Sequence, residues 1–284
     1  VGKSTLMNHL VGQKIAITSP VAQTTRNRLR GILTTPTAQL IFVDTPGIHK
    51  PHHPLGEVLV KNARSVVGLV DVVLFVVDAS APVGGGDRYI AEFLSQQSQA
   101  SVVLGLNKCD CQPAKAEALD TGYADLVAPY GWPLLKFSAL TGAGLEDLQN
   151  QLITRLKPGP YYYPPDLVTD QPERFIMGEL IREQILLLTR EEVPHSVAVT
   201  VDRVEEDPKI TRILATVMVE RSSQKGILIG KGGHMLKTIG AAAREQIQKL
   251  IDGKVYLELF VKVQAKWRQS RSQLAELGYR VEDS

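Results

Sequence analysis

Two tetrapeptides in this chain have the makings of a nucleotide site. Asn107-Lys108-Cys109-Asp110 ends the apolar run from Val102 to Leu106. A carboxylate at Asp110 can accept two hydrogen bonds, from N1–H and the 2-amino group of guanine. Adenine offers an acceptor at N1 and no 2-amino group, so it would leave that carboxylate unpaired, and the pattern selects guanine. Asn107 is expected to brace the site and Lys108 to lie along the ring. Backbone N–H groups near Ser138 and Ala139, in Ser138-Ala139-Leu140, are expected to meet guanine O6. Upstream, Asp44-Thr45-Pro46-Gly47 ends the run from Leu40 to Val43. Asp44 can hold Mg²⁺, directly or through water, and the Gly47 N–H can sense a γ-phosphate.

The chain opens Val1-Gly2-Lys3-Ser4-Thr5, ahead of a helical stretch with Leu6, Leu10 and Val11 on one side. This is the second half of the phosphate-loop pattern G-x-x-x-x-G-K-[ST]. The expectation is that a first strand and four residues of the pattern have been lost from its amino end. Gly2, Lys3, Ser4 and Thr5 would cradle phosphates on a helix N-terminus. Lys3 would reach the β- and γ-phosphates, and Ser4 would ligate Mg²⁺.

A second chemistry is concentrated near the other end. Gly230-Lys231-Gly232-Gly233 gives G-x-x-G between helical segments, where glycine lets a nucleic-acid backbone approach and Lys231 adds a phosphate contact. Residues 221–271 hold eleven Lys and Arg against three Asp and Glu, a net +8. Residues 158–207 hold four against eleven, a net −7. A basic lobe beside an acidic one is an RNA footprint, and Lys225 and Lys237 join Gly230, Lys231, Gly232 and Gly233 as candidate contacts.

These groups must be held by two kinds of scaffold. Over residues 1–157 the apolar runs 40–43, 72–77, 102–106 and 134–137 alternate with helical spacing such as Leu145, Leu148, Leu152 and Leu156. That alternation predicts an α/β fold, a mostly parallel sheet with helices on both faces, with ligands beyond the strands' carboxyl ends. Residues 158–172 carry five prolines and Tyr161 to Tyr163 and read as a semi-rigid linker. The tyrosines could pack the linker down or stack on RNA. Residues 173–284 read as a helix over 174–190 with Ile181, Ile185 and Leu188 inward, two strands, a helical turn, the glycine loop, a helix near 234–250 and a strand over 255–263. A G-x-x-G in that order is a KH signature, in a smaller α+β domain.

Composition narrows the rest. With 284 residues, 44% hydrophobic and 22% charged, the chain is globular, of about two domains at roughly 100–200 residues each. A net charge of +2 excludes coating nucleic acid by bulk charge. Cys109 and Cys111 lie too close to staple the fold and point to a reducing compartment. No apolar run approaches the roughly 20 residues that span a bilayer. His49, His52 and His53 share a Pro-rich loop without metal-ligand spacing and read as solvated.

Taken together the chain resembles the Era family of bacterial-type GTPases, in which a G domain precedes a type II KH domain. The resemblance rests on Gln23-Thr24-Thr25-Arg26, Asp44 to Pro51, Asn107 to Asp110, Ser138 to Leu140, Thr169 to Phe175, Glu191 to Ser196, the Gly230 loop and Leu277-Gly278-Tyr279. It implies a switch threonine that caps Mg²⁺ when the γ-phosphate is present, Thr25 in preference to Thr24, because it adjoins an arginine. Ile48 stands where a Ras-like switch places a glutamine, so hydrolysis to GDP and phosphate should be slow. No catalytic base is assigned; Lys3 and Thr25 are the transition-state and switch contacts. The implied ligands are GTP or GDP with Mg²⁺, and the implied partner is the 3′ end of 16S rRNA during assembly of the small (30S) ribosomal subunit. A cytoplasmic monomer is implied, with a peripheral association with the inner membrane. The alternative is an RNA-binding module whose nucleotide site is inactive in a truncated chain.

Overall fold

The computed structural model describes residues 1–21, 24–47, 54–97, 99–113 and 116–279. Gln23, Ile48 and the three loop histidines therefore lie outside the described residues. The first elements are α1 (Lys3–Val11), β1 (Leu29–Thr34), β2 (Gln39–Asp44), α2 (Pro54–Val67), β3 (Val72–Asp78), α3 (Gly85–Gln97), β4 (Ser101–Asn107), α4 (Glu117–Val127), β5 (Leu134–Lys136) and α5 (Leu145–Ile153). There follow α6 (Glu173–Leu188), α7 (Val193–Ser196), β6 (Ala198–Asp207), β7 (Ile210–Val219), α8 (Ser222–Ile229), α9 (His234–Gln248), β8 (Lys254–Val263) and α10 (Arg271–Glu276).

Strands β3, β4 and β5 pair in parallel, with Asp78 opposite Asn107. Alternate residues of a strand point to opposite faces, and both faces are covered by helices. Phe75 and Val77 pack with Ala91 and Leu94 of α3 and Tyr123 and Val127 of α4. Leu74 and Val76 pack with Leu6 of α1 and Leu145, Leu148 and Leu152 of α5. Because the strands are parallel, their carboxyl ends share one edge, and Asp78 and Asn107 arrive there together. β1 and β2 form an antiparallel pair that sets Leu29 opposite Asp44.

Beyond residue 172 the expected order of elements is found, with α7, a turn at Trp267–Gln269 and α10 in addition. The sheet order is β6-β7-β8, antiparallel then parallel. One face is buried by α6 and α9, through Ile181, Ile185, Ile239, Ala243 and Ile247 against Ile213, Ala215, Val217 and Val261. The inward stripe foreseen for α6 needs correcting. Leu188 is 37% exposed, whereas Arg182 and Glu183 are each 1% exposed.

Residues from the first part of the chain also enter the C-terminal core. Met7, Ile15, Ala16, Ile17 and Leu29 belong to the same buried cluster as α6, α9 and β7. Residues 161–170 lie along the β1–β2 pair. The Ile32 N–H donates to Val168 O (2.8 Å), and Gln39 accepts from the Tyr162 and Tyr163 N–H groups. Tyr161 donates to Thr35 O (2.7 Å), while Arg30 and Tyr163 both reach Asp170. The tyrosines thus pack the linker down, although Tyr162 is 74% exposed.

Candidate nucleotide site and glycine-loop groove

The phosphate end is assembled from three separate segments. Gly2, with φ 89°, caps α1, and Lys3, Ser4 and Thr5 form the first turn of that helix. The Ser4 hydroxyl donates to Asp44 Oδ2 at 2.6 Å. Thr25 Oγ1 lies 3.0 Å from both Ser4 Oγ and Asp44 Oδ2. Thr24 is turned elsewhere, its hydroxyl donating to Val21 O and meeting Ser19. Asp44 is buried, and among the described residues its Oδ1 has no hydrogen-bond partner. Burial pushes the Asp44 carboxyl above its ordinary range, against the opposing pull of the Lys3 charge and the two hydroxyls. A Cβ built on Gly47 would lie 4.0 Å from Lys3 Nζ, so the ammonium and the Gly47 backbone border one space.

At the base end, Asn107 is 1% exposed and fully engaged. Its Nδ2 donates to Val1 O (2.7 Å), and its Oδ1 accepts from the Lys108 and Ala139 N–H groups, each at 2.8 Å. One side chain thereby ties the phosphate segment, its own loop and the 138–140 turn together. The N–H groups expected to meet guanine O6 are occupied: Ser138 N–H donates to Ala143 O (2.9 Å) and Ala139 N–H to Asn107. Asp110 is solvent-facing. Ser138 and then Cys111 hold its carboxyl below the usual range by hydrogen bonding. Cys109 and Cys111 are free thiols. Lys108 adopts a left-handed φ of 67°, and its ammonium contacts the Asp78 carboxylate. Asp78 also accepts from the Ser80 N–H and hydroxyl. The sequence reading gave Asp78 no role, yet an aspartate ending the strand beside Asn107 was a usable signal.

The glycine loop is built differently. Gly230 (φ 71°) needs to be glycine, because a Cβ there would come within 2.7 Å of Met235 Cβ and 2.9 Å of its N. Gly232 and Gly233 also have positive φ and face open space. Lys231, Gly232 and Lys237 are exposed, and Lys225 Nζ lies 5.7 Å from the Phe260 ring centroid. Along the outer side of α9 runs an open groove of about 1050 Å³ lined by His234, Lys237, Arg244, Lys254 and Tyr256 among others. Arg244, Lys254 and Tyr256 were not singled out from the sequence. Among the described residues, no group of three His, Cys, Asp or Glu could hold a metal, and no helix is long and apolar enough to cross a membrane.

Comparison with known proteins bears on both regions. Residues 1–108 match the family described as 50S ribosome-binding GTPase, and residues 192–268 match the KH domain. GTPase Era of Nostoc sp. is 74% identical over 283 residues, spanning 100% of this chain and 87% of that protein. GTPase Era of Synechocystis sp. is 66% identical over 284 residues, covering 90% of that protein. Among solved structures, Era in complex with MgGDPNP and nucleotides 1506–1542 of 16S ribosomal RNA superposes with a TM-score of 0.94 at 36% identity, over 98% of this chain and 95% of that one. Aquifex aeolicus Era bound to GDP and AlF4⁻ gives 0.93 at 36% identity and the same coverage. With such identity along its whole length, the chain belongs to the Era family of GTPases, a P-loop G domain followed by a KH domain.

Proposed function

We propose that the chain is a slow GTP-hydrolysing switch that binds the 3′ end of 16S rRNA and assists assembly of the small ribosomal subunit. It divides into a GTP-binding part (1–157), a linker (158–172) and a type II KH part that binds RNA (173–284). The single observation that supports the switch most is the buried Asp44 carboxylate, one oxygen unpartnered among the described residues and the other shared by Ser4 and Thr25. Two hydroxyls and a carboxylate form a set of hard oxygen donors suited to Mg²⁺. Ser4, Thr25 and Asp44 would hold that ion, which when bound neutralises phosphate charge.

The chain's own groups do the rest. Gly2, Lys3, Ser4 and Thr5 hold the phosphates with N–H groups and the Lys3 ammonium, and Gly47 reads the γ-phosphate through its N–H. Asp110 pairs with the guanine edge, while Lys108 lies along the ring and shares its ammonium with Asp78. Ala139 N–H exchanges the Asn107 oxygen for guanine O6, with Ser138 holding the turn. No side chain is assigned as general base, and Ile48 cannot orient water, so turnover is slow. In the KH part, Gly230, Gly232 and Gly233 admit the RNA backbone, with Lys231, Lys225 and Lys237 on phosphates. The assigned setting is the cytoplasm, with peripheral contact to the inner membrane.

Phosphate release from GTP tests the enzyme. Slow release that needs Mg²⁺, is not shared by ATP and is lost in Asp44→Asn is expected. Nucleotide that binds without any release would refute hydrolysis.

A further inference from the structure

The segment that carries Thr25 is fixed on both sides by the C-terminal half. Arg26, next in sequence, is 5% exposed and donates to three main-chain carbonyls around α7: Val197 O (2.6 Å), Pro194 O (3.1 Å) and His195 O (3.3 Å). On the other side, the Thr24 carbonyl accepts from Arg182 of α6 at 2.5 Å, and Arg182 is itself held by Glu179. Between these anchors, the Thr25 hydroxyl rests on Ser4 and Asp44.

Arg26 is an expensive way to hold a loop. Among the described residues no carboxylate hydrogen-bonds to it; the Tyr279 phenol is its side-chain partner, while the nearby Arg182 charge opposes it and the Glu179 charge favours it. A buried guanidinium without a directly paired counter-ion is tolerated only where its hydrogen bonds are well placed, and an arginine in an unconstrained loop would turn to water. The patch it grips is firm. Trp267 is fully buried and donates from Nε1 to Ser196 O (2.9 Å), and it stacks with Tyr279. The same patch receives α2, the helix that follows Gly47 in the chain. Leu55 and Leu59 pack there with Ala198, Trp267, Leu274 and Tyr279. The Thr25 segment and α2 thus rest on one surface of the C-terminal half.

We propose that Arg26 is a positioning residue that holds Thr25 on Ser4 and Asp44 by anchoring its main chain to the α7 carbonyls. Metal-dependent binding of the triphosphate state then depends on a contact with the half that carries the glycine loop. This rests on Thr25 being the threonine that caps Mg²⁺ when the γ-phosphate is present. Arg182 is the second anchor of the same segment.

The test measures, on the full chain, the Mg²⁺ concentration needed for half-maximal binding of a fluorescent non-hydrolysable GTP analogue and of fluorescent GDP. The readout is the ratio of the two requirements. Thr25→Ala should raise it about tenfold, the loss of one charge-assisted contact. Arg26→Met should raise it about three- to tenfold, and Arg26→Lys by less, since lysine keeps the charge without the fork. If Arg26→Met does not fold, Arg26→Lys and Arg182→Met carry the same test, with thermal unfolding recorded beside each. A purely structural role would weaken both nucleotides together and leave the ratio at the parent value. That result, with Thr25→Ala active, would overturn the positioning role and spare the reading of Thr25. A silent Thr25→Ala would overturn both, since nothing would remain for Arg26 to position.

Discussion

The nucleotide region and the glycine-loop groove are both rich in polar residues, and they are built in opposite ways. Around the nucleotide position several side chains are buried and committed, although Asp110 faces solvent: Asn107 makes three bonds, Ser138 is fully buried, and Asp44 shares one oxygen between two hydroxyls. Around Gly230 the cations stand on an open surface, and the groove beside α9 is open to solvent. A small ligand recognised atom by atom needs each donor fixed in advance, because an unmatched buried group is costly. A polymer recognised through its phosphates needs charge and access, and no single cation is decisive. Single substitutions should therefore act steeply in the first region and gradually in the second.

That contrast can be broken at several points. Asp110→Asn should lower GTP affinity by about a thousandfold and shift preference to xanthosine nucleotides, whose changed edge restores the pairing. Competition between GDP and XDP for one fluorescent nucleotide measures it, and an untouched GTP affinity would remove Asp110 from base recognition. Replacing Lys231 and Gly232 by Asp together should cost about a hundredfold in affinity for a single-stranded rRNA tail, through reversed charge. GDP affinity should stay within twofold, so a loss in both assays would show that the two regions are not separable in this way. Asn107→Ala leaves the Lys108 N–H and Val1 O without their partner in the bound state, Ala139 N–H having turned to the guanine. It should cost about 2 kcal/mol, roughly thirtyfold in nucleotide affinity. Lys237→Ala should cost only about threefold in RNA affinity and lower the salt dependence by about one counterion. A steep loss there would mean that this lysine recognises a base.

The two regions were also legible to different degrees. Asn107, Asp110, Asp44 and the Gly230 loop could be found because each is a short pattern whose chemistry is local. β1 went unrecognised because Leu29–Thr34 contains Gly31, which reads as a breaker. Gly31 is there because α1 passes close by: a Cβ would lie 2.8 Å from Met7 Cγ and 2.9 Å from its sulfur. Arg182 and Glu183 stand outside the inward stripe expected for α6, yet they are buried because they meet the segment 14–24. Lys14 and the Thr18 N–H both reach Glu183, and Thr24 O reaches Arg182. A partner more than 150 residues away leaves no periodic trace in either segment. For the same reason the role of Arg26 was not visible, although its motif was. The 138–139 turn shows a third limit. The residues were identified from the sequence, but the internal bonds that already occupy their N–H groups depend on the packed loop.

A working switch requires that this chain bind guanine nucleotide in addition to carrying an RNA-binding half. Titration of the full chain with fluorescent GDP, with Mg²⁺ and with EDTA, tests it most directly. Micromolar binding that requires Mg²⁺ and is displaced by GTP but not by ATP is the predicted result. An absence of binding under both conditions, in a chain that still binds the rRNA tail, would contradict it and leave an RNA-binding module with an inactive nucleotide site.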